Sequence, residues 1–155
     1  RLLPTWAPQG LFIGTGAASF QSVSSAELKR LIFLHLYFCG KDEDYLRQLL
    51  HDSADDPFLA YFVRSTTFGP ERILSFLSPN SQPVSRAEIE KEVTDFGSFV
   101  SAFSRSDATA RQMTYVVTRT LDNYDFSRID QWYERDNGET VGDYTLYRVR
   151  LRPSP

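Results

Sequence analysis

Cysteine is nearly missing from this chain. Cys39 stands alone in 155 residues, so no internal disulfide can form and packing has to hold the fold. Histidine is also scarce, with only His35 and His51, and no Gly-x-Ser-x-Gly turn occurs. The sequence therefore offers no recognisable nucleophile–histidine–acid arrangement. Cationic excess is lacking: the net charge is -3, and no basic stripe of the kind that tracks a phosphate backbone is present. Nucleic acid is excluded as an expected partner. Long apolar runs are missing as well. The longest, Leu31 to Cys39, is interrupted by His35, whereas a membrane-spanning helix needs about 20 apolar residues. No Asn-x-Ser/Thr sequon occurs. The opening Arg1-Leu2-Leu3-Pro4 has neither an initiator Met nor the apolar core of a signal peptide. The chain thus reads as a single soluble domain, residues 1–155, excised from a longer protein.

What is present is core-forming material. Twelve Phe and eight Tyr accompany a hydrophobic fraction of 41% and a charged fraction of 24%, which is a globular composition. A chain of this length buries roughly 70% of its unfolded surface. Ser24-x-x-Glu27 and Ser85-x-x-Glu88 are capping boxes, each flanked by staple residues, Val23 with Leu28 and Val84 with Ile89. They predict helices over Ser25–Cys39, closed by Gly40, and over Arg86–Phe103. The first is apolar nearly all round and should be the core helix. In the second, Ile89, Val93, Phe96, Val100 and Phe103 recur at helical spacing, and Gly97 inside it points to close packing. Between them, Asp42 caps a helix with Leu46, Leu49 and Leu50 inward. Asp56-Pro57 opens another carrying Phe58, Leu59, Phe62 and Val63. Gly69-Pro70 closes that one and opens a short helix with Ile73, Leu74 and Leu77, followed by a loop over Ser78 to Pro83.

Strand signals lie toward both ends. Leu11-Phe12-Ile13 is a short apolar run before Gly14-Thr15-Gly16, and Thr114–Thr118 is β-branched and aromatic. Asp125 caps a short helix with Phe126, Ile129 and Trp132, ending in a solvated Glu134-Arg135-Asp136. Gly142-Asp143 turns a hairpin into a half-buried strand, in which Thr145, Tyr147, Val149 and Leu151 alternate with Leu146, Arg148 and Arg150. The expected fold is helix-rich α/β: a small sheet from strands near both ends, with a large helical insertion between them.

Few residues carry chemistry. Gly14-Thr15-Gly16 follows a strand but lacks the third glycine and the immediately following helix of a dinucleotide loop, and reads as a structural turn. His35 and Cys39 have a spacing that can place two metal ligands on one helix face, with His51 or Asp52 as a third. A core histidine is the simpler reading, so neither metal nor cofactor is expected. Asp42, Glu43 and Asp44 read as helix-start charges. Two features remain as ligand candidates. Trp6, Trp132, Tyr133 and Tyr144 could line an aromatic groove for a sugar or a lipid headgroup, against a default of core packing. Arg148, Arg150 and Arg152, at alternate positions, share one strand face and could meet an anion or headgroup.

Tyr115-Val116-Val117, then Asp130-x-Trp132-Tyr133, then Gly142-Asp143-Tyr144-Thr145-Leu146-Tyr147-Arg148-Val149 resembles the end of many bacterial multi-pass membrane proteins. Among them are the polytopic lipid-linked-sugar glycosyltransferases, in which a soluble domain follows the transmembrane helices. The resemblance covers about 40 residues. It implies a non-catalytic accessory domain on the extracytoplasmic side, whose partner is the transmembrane part of its own parent chain. If that parent is an enzyme, it implies a membrane glycosyltransferase. It brings no catalytic residue, because those carboxylates lie in loops between membrane helices. The alternative is an intracellular module that binds another protein.

Overall fold

The computed structural model describes residues 24–51, 57–73 and 82–153. The predicted strand at Leu11–Ile13, the glycine loop after it, Trp6, Asp52, Asp56, Leu74 and Leu77 lie outside them. The chain forms two compact units. One is the chain up to Tyr37 with Lys41–Phe99; the other is Phe38–Gly40 with Val100–Pro155.

The regular elements in the described part of the first unit are all helices: α1 (Ser25–Phe38), up to Tyr37, α2 (Glu43–Leu50), α3 (Pro57–Phe68), α4 (Pro70–Ile73) and α5 (Arg86–Ala102), up to Phe99. Its starts are chemically marked. Glu27 N–H donates to Ser24 Oγ at 3.2 Å, Tyr45 N–H to Asp42 Oδ1 at 2.9 Å, and Pro57 is the first residue of α3. At α5 the box closes both ways: Glu88 N–H donates to Ser85 Oγ at 3.3 Å and Ser85 N–H to Glu88 Oε2 at 2.9 Å. Gly40 and Gly69 take positive φ at the ends of α1 and α3, where a side chain would be strained.

Leu31–Leu34, Leu36, Leu46, Leu49, Leu50, Val63, Ile89, Val93 and Phe96 are buried, each such side chain contributing on the order of 1.5–3 kcal/mol. Phe33 meets Phe96 edge-on at 5.1 Å. Ion pairs ring this core: Lys29 with Glu92 and Asp95, Arg47 with Glu90, and Arg72 with Glu88. A Cβ at Gly97 would meet the Glu43 carboxylate, the far end of a flexible side chain that can swing aside, so the contact is not a close approach of backbone.

The second unit holds α6 (Arg105–Ala110), β1 (Tyr115–Arg119), α7 (Ser127–Trp132), β2 (Tyr133–Arg135), β3 (Glu139–Val141) and β4 (Tyr144–Leu151). Every described strand lies in this C-terminal third, so the described sheet is a local antiparallel one. β4 is central, with β1 on one side and β2 and β3 end to end on the other. Gly142-Asp143 is the two-residue turn between β3 and β4, which pair Val141 with Tyr144.

Three local expectations are corrected. Glu134 and Arg135 are strand rather than helix end, because Tyr133 leaves helical conformation at ψ 148° and pairs with Leu151. Asp125 acts one residue earlier than a cap, accepting from Ser127 N–H at 2.9 Å in an Asx turn. Ser104-Arg105-Ser106-Asp107 starts a helix that the sequence reading passed over: the Ser104 N–H donates to the Asp107 carboxylate at 3.0 Å.

The edge opposite β1 contains a bulge. Glu134 pairs with Arg150, but Glu139 pairs with Leu146, a register slip of one residue between the two strands. Asp136 accommodates it: Asp136 N–H donates to the Arg148 carbonyl at 3.1 Å, while Arg148 N–H donates to the Asp136 carboxylate at 3.0 Å. Gly138 sits in the bulge at φ 76°, with the Tyr147 ring and Thr145 where a Cβ would go.

Candidate functional site

Side chains alternate across a sheet, and residues paired directly opposite share a face. On the inner face, Val116 and Thr118 join Tyr147 and Thr145, while Arg135 and Thr140 join Val149 and Thr145. Phe126 meets Tyr147 edge-on at 4.8 Å, and Ile129 of α7 is buried. Arg135 is held there by Asp130, at 3.0 and 3.1 Å, with its guanidinium 4.0 Å from the Phe126 ring centre.

Tyr133 belongs to this core. It is 0% exposed, its hydroxyl donates to the Ala108 carbonyl at 2.9 Å, and its ring meets Phe38. A side chain so enclosed cannot line an open groove, so its candidacy as a ligand contact is withdrawn. Trp132 packs edge-on against Phe103 at 5.6 Å and is half-buried. It does not stand beside Tyr144, which lies on the other strand face, and the proposed four-aromatic groove is not assembled from the described residues. Tyr124 is likewise structural. Its hydroxyl donates to the Phe38 carbonyl at 2.8 Å, and burial, then the neighbouring Cys39, push its pKa well above the ordinary phenol value. No group of three metal-ligating side chains comes together among the described residues, and none of their helices is long and apolar enough to cross a membrane.

The outer face is different. Pairing brings together Tyr115, Val117 and Arg119 of β1, Tyr144, Leu146, Arg148 and Arg150 of β4, and Glu134, Glu139 and Val141 of the bulged edge. Tyr115 is 38% exposed, Val117 47%, Val141 63% and Tyr144 39%, and Leu121 just past β1 is 97% exposed. Five of the six large exposed hydrophobics among the described residues therefore lie on this face or at its corner. A contiguous apolar patch that no described residue covers marks an interaction surface.

Tyr144, Arg148 and Arg150, three of the sequence candidates, do share it. The expected free stripe of arginines does not survive, however. Arg148 leans over the Tyr115 ring at 6.0 Å, Arg150 stands opposite Glu134, and Arg152, beyond the strand, donates through Nε to the Asp130 carbonyl at 3.0 Å. The face is an apolar centre with a rim of both charge signs. Sequence reasoning missed Tyr115, Val117, Arg119 and Val141. The alternation of Tyr115, Val117 and Arg119 was visible, but only the strand register assigns them to the open side. Comparison of the chain with protein-family models, with curated proteins and with solved structures finds no match.

Proposed function

We propose that this chain is a non-catalytic binding domain and that the outer face of its sheet is the surface it binds with. Following the resemblance of its C-terminal third, the partner on this reading is the transmembrane part of its own parent chain. That parent is a polytopic membrane protein of glycosyltransferase type, with this domain on its extracytoplasmic side. The observation that carries the binding role is the open apolar centre, Val117, Val141, Tyr115 and Tyr144. Each buried valine is worth on the order of 1.5 kcal/mol or more, a gain this face forgoes until something covers it. Tyrosine and arginine are enriched in protein interfaces and among the few residues that dominate their energy.

The rim selects between partner classes. Glu134 opposite Arg150, and Glu139 beside Leu146, offset the arginines, which suits a protein surface better than an anionic headgroup layer or a neutral sugar. The same mixed rim supports the second reading, an intracellular module that docks on a separate protein.

Photo-crosslinking separates them. With a photoreactive residue at Val141 in the full-length protein, crosslinks should form within the same polypeptide, to its membrane part. Crosslinks to a different polypeptide would establish the second reading. A yield no higher than from solvent-facing Lys91 would remove both.

A further inference from the structure

Among the described residues β1 is an edge strand, and its outer side is a ready template for another strand. Val149 N–H donates to the Thr114 carbonyl and Thr120 N–H to the Asp143 carbonyl. In an antiparallel ladder, residues alternate between bonding inward and outward. Residues 114, 116, 118 and 120 therefore spend their backbone groups on β4, and Tyr115, Val117 and Arg119 direct theirs outward. The Arg119 carbonyl is taken by Asp122 N–H at 3.0 Å. No other hydrogen bond from the described residues reaches the outward groups of Tyr115 and Val117.

Edge strands are commonly blunted by proline, a bulge or an inward-pointing charge. In this sheet the opposite edge carries the bulge, and among the described residues β1 has no proline, bulge or inward-pointing charge. The same three residues place their side chains on the open face, so a strand added at this edge would extend that face.

We propose that β1 binds an extended acidic segment of the protein surface it docks on, in the parent chain's own remaining part, by strand addition, as the specific mode by which the outer face works. This rests on the protein-docking role proposed above. The chemistry of the segment follows from what it would meet. Opposite Val117 an apolar residue is required. At one end stands Arg119, and at the other Arg148, drawn toward the edge over the Tyr115 ring at 6.0 Å. Carboxylates at both ends, spaced by an alternate-residue apolar position, satisfy this pattern in either strand direction. A second copy of β1 would fit less well, because antiparallel pairing about Val117 sets Arg119 of one copy beside Tyr115 and Arg148 of the other, cation against cation.

The test uses the full chain, labelled for NMR, and a synthetic peptide with the core Glu-Thr-Val-Thr-Glu. The expected result is saturable binding that slows hydrogen exchange at the Tyr115 and Val117 amides. Replacing both peptide Glu by Lys should weaken binding by about tenfold or more, a factor equal to ~1.4 kcal/mol. Val117→Pro removes one outward N–H and no bond to β4, a substitution edge strands accept, and should abolish binding.

Should Val117→Pro fail to fold, peptides N-methylated at alternate residues decide the matter on the unaltered chain. One of the two phases must then lose binding. The proposal is overturned if the acidic peptide does not bind. It is also overturned if binding survives both Val117→Pro and N-methylation in either phase. In that last case the ligand lies across the face rather than along the edge, so strand addition fails while the docking face stands. The Val141 crosslinks report on the docking face independently.

Discussion

Replacing Tyr133 by Phe removes a single oxygen atom from the core of the C-terminal unit and leaves the ring and its packing on Phe38 in place. No cavity of consequence forms, so the cost comes from hydrogen bonding. The hydroxyl donates to the Ala108 carbonyl at 2.9 Å and accepts from Met113 N–H at the long distance of 3.4 Å. Met113 is only half-buried and its N–H can turn to water, whereas Ala108 is 0% exposed. The stranded Ala108 carbonyl should dominate, at about 1–2 kcal/mol.

In urea this corresponds to a midpoint shift of roughly 0.5–1 M at unchanged slope. Fluorescence of Trp132, which packs in the same core, can follow it. The pH dependence has a definite sign. Burial raises the Tyr133 pKa, so the neutral form is favoured in the folded state. Its contribution is complete below the unfolded phenol value of about 10 and is lost as pH rises beyond it. The gap between wild type and Tyr133→Phe should therefore narrow above that pH. A stability loss of no more than a few tenths of a kcal/mol, or a gap that widens in alkali, would refute the account of Tyr133 as a hydrogen-bonded core residue.

Ser85→Ala should cost about 1 kcal/mol through loss of the helix cap, read from the urea midpoint. Arg72, then the Ser85 N–H and hydroxyl, hold the Glu88 pKa down at about 2. Its contribution is present above the ordinary carboxylate range and lost as pH falls toward 2. In Glu88→Gln, acid unfolding should show a shallower pH dependence across that interval, and an unchanged profile would discount the Arg72–Glu88–Ser85 cluster. Gly138→Ala should destabilise more than Gly142→Ala. Both take positive φ, at 76° and 58°, but only at Gly138 does a new Cβ run into Tyr147 and Thr145. The second change should cost roughly 1–2 kcal/mol for the left-handed backbone alone, and equal midpoints would contradict this. Arg135→Lys loses the forked contact with Asp130 and the stacking on Phe126. It should lower thermal stability where a lysine of equal charge would otherwise be neutral.

Local chemistry made most helices legible. Ser85 and Glu88, Asp42, Pro57, and Gly40 each act within a few residues of themselves, so their message needs no knowledge of the rest of the chain. The same logic operates at Ser104-Arg105-Ser106-Asp107, where Asp takes the place of the usual Glu. Strand existence was also legible at Thr114–Thr118 and Tyr144–Arg150, from alternation and β-branching. Tyr133 was not, because a tyrosine beside a tryptophan reads the same in a core as in a binding groove.

The sequence by itself determined a helix-rich α/β chain, the buried all-round apolar character of α1, the inward residues of α5, and the hairpin at Gly142-Asp143. These follow from period, caps and turns, which are short-range. Only the tertiary structure decided that β1 lies beside β4, that a bulge at Asp136–Gly138 shifts one edge by a residue, and that Tyr115, Val117, Val141 and Tyr144 meet on a face that no other described residue covers. Register has a side-chain period of two, so a slip of one residue would exchange the inner and outer faces. That choice is made by pairings between residues as far apart as Tyr115 and Arg148, and no local pattern contains it.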